Sequence, residues 1–293
     1  MGLIYILFAT VLNTVKGFCS KKVSGKLICF ADNINLSLLR SLVCALIGGI
    51  FLLIGGSLPA LPAKGWLICT IAGAALSVNY VVWVLSLKTD AYMFASAASS
   101  SGFVVAVIGG IFLLGEKLTV GKSAAILCIL AAMWFMLRYQ IEFSGKPSAK
   151  NLLLLGAVFL TQGISQLSQK QFTSALPEIS AHVYTFYSFV ISAGLLLLLR
   201  LFLRYPGTKR AEAAQVKMLL PWICIMGGSL YGVTYFQALA STHMDAIVLY
   251  PLNNGLVLVA SMLMSWLVLK EKPSRNSIIG AVLVFAALML MRF

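Results

Sequence analysis

LLGEKLTVGKSAAILCILAAMWFM, residues 113–136, returns 155 positions later as VLKEKPSRNSIIGAVLVFAALMLM, residues 268–291. Each copy is an apolar run, then Glu-Lys, then a polar turn, then a second apolar run. The turn is too short to hold a domain, so each copy reads as a hairpin of two apolar helices with its charges at the bend. Working outward at the same shift, Ile68 falls on Ile223, Cys69 on Cys224, Gly73 on Gly228, Tyr80 on Tyr235, Asp90-Ala91 on Asp245-Ala246, and Ala131-Ala132 on Ala286-Ala287. Apolar coincidences are cheap in a greasy sequence. Matched Tyr, Asp and Glu-Lys are not, and they mark an internal duplication. The first helices align less closely, with ATVLNTVKGFCSKK (9–22) over AVFLTQGISQLSQK (157–170).

The composition fixes the solvent. Hydrophobic residues make up 60% of the chain and charged residues 10%, against about 25% charged in soluble domains. Too little polar material exists to cover a water-soluble surface, so the surrounding medium is lipid. The opening MGLIYILFATVLNTVKGF lacks a basic leader and a small-residue cleavage site, and reads as a first span. The net charge of +14 is spread between apolar runs, where it meets lipid head groups, and forms no nucleic-acid stripe. Cys44, Cys69, Cys128 and Cys224 lie inside apolar runs with no CxxC or Cys/His spacing, which predicts buried thiols and neither a disulfide nor a metal site.

A helix needs about 20 residues to cross about 30 Å of hydrocarbon. Ten such helices are predicted, near 2–20, 34–56, 65–87, 92–114, 119–138, 150–170, 179–202, 217–241, 246–269 and 274–292. Helices are required because the runs lack the alternation of a barrel strand, and open strands leave backbone groups unpaired in lipid. The repeat divides the chain into a first five-helix unit (1–141), a linker (142–149) and a second unit (150–293). Five is odd, so the second copy enters the bilayer from the opposite side. The predicted fold is all-α and integral to the membrane, with ten transmembrane helices as two inverted five-helix repeats. Such an arrangement can present one central site to either face in turn.

The two Glu-Lys hairpins, each followed by an apolar helix rich in small residues, resemble the drug/metabolite transporter superfamily, in its EamA-like branch. The resemblance covers essentially the whole chain. It implies transport of amino acids, other metabolites, drugs, nucleotide sugars or sugar phosphates, and a cavity lined mainly by the first, third, fourth, sixth, eighth and ninth helices. The chain departs from many relatives where they carry Trp-Gly midway along the first helix; here the stretch is ATVLNTVKG (9–17). The implied location is a bacterial inner (cytoplasmic) membrane.

Polar side chains inside hydrocarbon are costly and turn inward. The candidate substrate-binding residues are Asn13 and Lys16 on the first helix, Asn79, Tyr80 and Trp83 on the third, and Ser99 on the fourth. They continue with Gln162 and Gln166 on the sixth, Thr234 and Tyr235 on the eighth, and Tyr250 and Asn254 on the ninth. Lys16 would neutralise an anionic or zwitterionic cargo, or snorkel toward Lys22. Lys16 and His182 are candidates for proton coupling. Arg40 reads as an anchor near a helix start. Pro251, Asn253, Asn254 and Gly255 have the look of an interrupted helix, and Gly102, Ala106 and Gly110 form a four-residue stripe for close helix approach.

All eight carboxylates, Asp32, Asp90, Glu116, Glu142, Glu178, Glu212, Asp245 and Glu271, fall at helix ends or in loops, which disfavours a permanent cation site. The reading is a secondary transporter of a small polar or amphipathic metabolite, amino-acid-like or anionic in preference to cationic, with no cofactor. Its partners are the substrate, membrane lipids, and a coupling proton or counter-substrate. Monomer and dimer stay open. The alternatives are a transporter of cationic amines or drugs, and a channel or non-transporting scaffold. An enzyme is not expected, since His182 and His243 lie far apart with no carboxylate at motif spacing. Most Lys and Arg fall in loops at 20–33, 88–90, 138–150, 200–217 and 270–275, while Lys64, Lys117, Lys122, Lys170 and Arg292 mark the other side. This bias puts both termini outside the cytoplasm; the family pattern puts them inside.

Overall fold

The computed structural model describes residues 1–24, 30–55, 60–87, 98–144, 149–202, 213–269 and 275–290. Among them are ten helices: α1 (Gly2–Ser24), α2 (Phe30–Ile54), α3 (Ala63–Leu87), α4 (Phe103–Leu114), α5 (Val120–Ser144), α6 (Ala149–Ala175), α7 (Ala181–Phe202), α8 (Ala213–Ser241), α9 (Ala246–Leu269) and α10 (Arg275–Leu290). A helical turn at 98–101 leads into α4. Seven helices, α1 to α3 and α6 to α9, carry apolar stretches of membrane length, while α4, α5 and α10 have shorter ones at Ala98–Leu114, Val120–Phe135 and Ile278–Leu290. The start of the predicted fourth span and part of the 142–149 linker lie outside the described residues.

Large apolar side chains point outward all round the bundle. Leu46, Ile54, Phe112, Leu153, Phe202 and Leu267 are exposed, and only a hydrocarbon solvent makes that arrangement favourable. The chain is an integral membrane protein.

The helix packing repeats itself. α1 lies on α8 as α6 lies on α3; α3 lies on α7 as α8 lies on α2; and α1 meets α9 as α6 meets α4. α2 with α7, α4 with α9 and α5 with α10 pair with their own counterparts. This is the contact pattern of two five-helix units related by a pseudo-twofold axis, and an odd helix number per unit makes the two inverted.

Glycine makes the crossings close. Gly73 on α3 faces Ile191 and the Ser188 carbonyl of α7, and in the symmetry-related crossing Gly227 on α8 faces Val43 and the Arg40 carbonyl of α2. The predicted stripe on α4 is divided between two neighbours. Gly102 lies against Gln162 and the Phe159 carbonyl of α6, whereas Gly110 lies near Ala246 of α9. Opposite Gly102, Gly163 of α6 leaves room for the Gly102 carbonyl and Val105. With no hydrophobic force to press helices together in lipid, such backbone approaches supply the packing.

Two expectations are corrected. α9 runs unbroken through Pro251 and Gly255. Pro251 falls in the second turn, where its missing N–H frees one carbonyl without ending the helix. Lys170 is not a loop charge. It lies within α6, 9% exposed, because α6 extends to Ala175 and carries the lysine back into the bundle.

Candidate functional site

At the bundle end that carries the α4–α5 and α8–α9 turns, Gly115 closes α4 in the left-handed conformation, φ 68°. The Glu116 N–H then returns to the Gly110 carbonyl at 3.1 Å. This reversal, which favours glycine, aims the Glu116 carboxylate at the start of α9. It accepts the N–H groups of Ala246 (2.8 Å) and Ile247 (3.0 Å), satisfying two of the four donors that a helix start leaves open. Lys170 Nζ, 3.8 Å from Glu116 Oε1, donates to the carbonyls of Ser241 (2.8 Å) and Met244 (2.7 Å). Lys122 pairs with Asp245 at 2.9 Å on the outer side of the same turn. Glu116 and Lys170 thus tie α4, α6, α8 and α9 into one seal across this end.

Inside the seal, the polar side chains of α6 face α3, α4, α8 and α9. Asn79 Nδ2 donates to the Val158 carbonyl (3.3 Å) and to Thr161 Oγ1 (3.0 Å). Gln169 Nε2 donates to the Thr234 carbonyl at 2.8 Å, the Tyr250 hydroxyl to the Gln166 carbonyl at 2.5 Å, and Asn254 Nδ2 to the Ser100 carbonyl at 2.8 Å. Much of the predicted polar lining is therefore engaged in joining helices. Two buried acceptors in this region, Gln166 Oε1 and Asn253 Oδ1, have no hydrogen-bond partner.

A second group forms between α1, α2 and α3. The Arg40 guanidinium lies over the Tyr80 ring, 4.2 Å from its centroid, a cation–π contact. Lys16 is within electrostatic range of Arg40 and of Cys44, and the Cys44 thiol donates to the Gly227 carbonyl at 3.2 Å. Both α1 and α2 pack on α8, which holds the two cations within electrostatic range of each other. At about 1.5 Å per residue, Arg40 is some 15 Å from the Phe30 end of α2 and some 21 Å from the Ile54 end. Lys16 occupies the matching layer of α1. A centrally placed Lys or Arg costs a membrane helix about 3 kcal/mol, so two that approach each other are an expensive feature. Arg40 Nε and the Tyr80 hydroxyl are buried with no hydrogen-bond partner outside this pair.

A third group surrounds His182. Its ring stacks between Phe51 (5.0 Å, 15°) and Tyr235 (3.9 Å, 14°), and its Nδ1 meets the Tyr231 hydroxyl. A cleft of about 280 Å³, lined by Phe51, Leu52, Glu178, Ser180 and His182, opens beside this column.

The predicted residues thus divide among three places. Asn79, Gln162, Gln166, Thr234, Tyr250 and Asn254 gather around α6, and Ser99 lies in the helical turn that leads into α4. Lys16 and Tyr80 join in the cationic group; Asn13 lies one turn from Lys16 and Trp83 one turn from Tyr80, on the same helices. Tyr235 and His182 lie at the aromatic column. Sequence reasoning placed Arg40 inside the predicted 34–56 span but read it as an anchor near the helix start; the polar spacing Asn33, Ser37, Arg40 along α2 is the signal that could have turned it inward. Among the described residues no group of three His, Cys, Asp or Glu comes together as metal ligands.

Residues 149–293 match the EamA-like transporter family. No curated protein matches the sequence. A solved crystal structure aligns with a TM-score of 0.78 and 16% identity, over 99% of this chain and 96% of its own. At that identity the likeness concerns the fold alone.

Proposed function

From the membership of this chain in the drug/metabolite transporter superfamily, in its EamA-like branch, we propose that it is a secondary transporter working by alternating access. The family and the multi-span architecture make the chain a small-molecule transporter. The finer reading is a small polar or amphipathic metabolite, amino-acid-like or anionic, carried across a bacterial inner membrane. The observation that supports it is the symmetric helix packing, α1 on α8 answered by α6 on α3. It gives two inverted units that can rock about their shared helices, with buried polar acceptors such as Gln166 Oε1 between them. Cargo that supplies donors to those acceptors would be held near mid-membrane.

The test is uptake and counterflow in proteoliposomes with metabolites first selected by thermal stabilisation of the purified protein. The expected result is saturable uptake, accelerated by cargo on the far side and weakened by Gln166→Ala. Conductance that rises linearly with concentration, with no counterflow, refutes alternating access and favours a channel.

A further inference from the structure

Lys16 and Arg40 lie in one layer of the bundle, on two helices that both pack on α8, within electrostatic range of each other and with Tyr80 beneath the guanidinium. Among the described side chains, the charges that would neutralise them lie elsewhere. The carboxylates with described side chains, Glu116, Glu178 and Asp245, belong to the opposite end of the bundle, some 20 Å along the axis from Arg40. There Glu116 is engaged by the α9 N-terminus and Lys170, and Asp245 by Lys122. Two cations held together in a low-dielectric layer repel each other, and each helix pays separately for its charge. A structural anchor would need only one of them, placed at an interface. Buried donors remain for a ligand: neither Arg40 Nε nor the Tyr80 hydroxyl has a hydrogen-bond partner outside this pair. Beside Tyr80, the side chains of Asn33, Ile34, Ser37, Val81 and Leu196 close around a gap too narrow for water, so this conformation is shut around the site. Asn33 and Ser37 continue the polar line of α2 from Arg40 toward its start.

We propose that Lys16, Arg40 and Tyr80 form an oxyanion site and that the cargo is a small organic dianion, a dicarboxylate or phosphate monoester, in preference to a zwitterion. This rests on the transport reading and narrows its substrate class. A dianion neutralises both cations, and a guanidinium can hold a carboxylate or phosphate through two parallel bonds. An α-amino acid would bring an ammonium into a layer that already holds two positive charges and, among the described side chains, offers no carboxylate to receive it. Tyr80 fixes the guanidinium plane from below and can donate its hydroxyl to a third oxygen.

The test uses the full chain in detergent, with succinate, glycerol 3-phosphate, alanine and succinamide as probes at matched ionic strength, and binding followed by thermal stability. Succinate or glycerol 3-phosphate is expected to bind saturably, with alanine and succinamide at least tenfold weaker. Arg40→Gln and Lys16→Gln should each weaken the dianion at least tenfold, and Arg40→Lys less than Arg40→Gln. Should Arg40→Gln not fold, Lys16→Gln and the probe ranking on the unaltered chain carry the decision. Alanine binding as tightly as succinate, unchanged succinate affinity in a folded Arg40→Gln or Lys16→Gln protein, or no dianion binding at all overturns the proposal. Proteoliposome uptake separates the two readings. Saturable alanine or amine uptake, insensitive to both substitutions, removes the anion site and leaves the transporter. Dianion binding without counterflow of any probe does the reverse.

Discussion

Glu116 is the side chain whose removal has the most calculable consequence. Its carboxylate accepts two N–H groups at the start of α9, at 2.8 and 3.0 Å, and its side chain is 6% exposed beside a Lys170 side chain that is 11% exposed. Losing a helix cap costs about 1–2 kcal/mol. Removing one partner of a buried pair costs about 3–5 kcal/mol when the contact is tight. Here the ion pair is loose, at 3.8 Å, and Lys170 keeps two carbonyl acceptors, so its share is smaller. Glu116→Ala should therefore lower unfolding free energy by about 3 kcal/mol. Glu116→Gln keeps one acceptor but no charge and should cost about 2 kcal/mol. The assay is SDS-driven unfolding of the detergent-solubilised protein, read by a thiol-reactive dye at Cys44 and Cys69, both fully buried. Lys117→Ala, at an exposed neighbour, is the control. In a Lys170→Met background the Gln substitution should cost less, since no buried ammonium is then left without its carboxylate. A Glu116→Ala protein within 0.5 kcal/mol of the parent, or one no different from Lys117→Ala, refutes the assignment of Glu116 as the seal.

Two further substitutions probe the backbone around the same elements. Gly115→Ala forces a side chain into the left-handed conformation at φ 68° and should cost about 1 kcal/mol in the same SDS titration, with Gly156→Ala, which meets no neighbour, as a neutral comparison. Gly163→Ala drives a methyl group into the Gly102 carbonyl and Val105. It should cost about 1–3 kcal/mol and, by parting α4 from α6, reduce the maximal rate of proteoliposome uptake.

The fold was legible because its signals are redundant. Lipid leaves only one way to satisfy the backbone, and the Glu116/Glu271 register counts the helices per unit. The candidate site was legible only in part. Residue type told that Asn79, Gln169 and Asn254 face inward. It could not tell that their donors are taken up by the Thr161 hydroxyl and by the Thr234 and Ser100 carbonyls, since helix-to-helix partners depend on rotation about each axis. Arg40 and Lys170 were assigned to the membrane boundary for a related reason. A charge beside an apolar run looks like a boundary in one dimension, whereas a helix that continues past it carries the charge inside. Glu116 shows the converse: a residue that reads as a surface turn becomes buried because the Gly115 reversal swings it under a neighbouring helix.

The pairing of α2 with α7, α4 with α9 and α5 with α10 has a consequence for how such a molecule can be assembled. Each of these helices meets its own counterpart from the other unit, so a fragment ending between α5 and α6 would carry three unsatisfied seams that only an upside-down sibling can close. A single unit on its own would have to be threaded into the bilayer both ways in equal number. Fusing two copies head to tail removes that demand, and leaves each free to drift in sequence, as Lys16 of the first copy and the glutamines of the second already have.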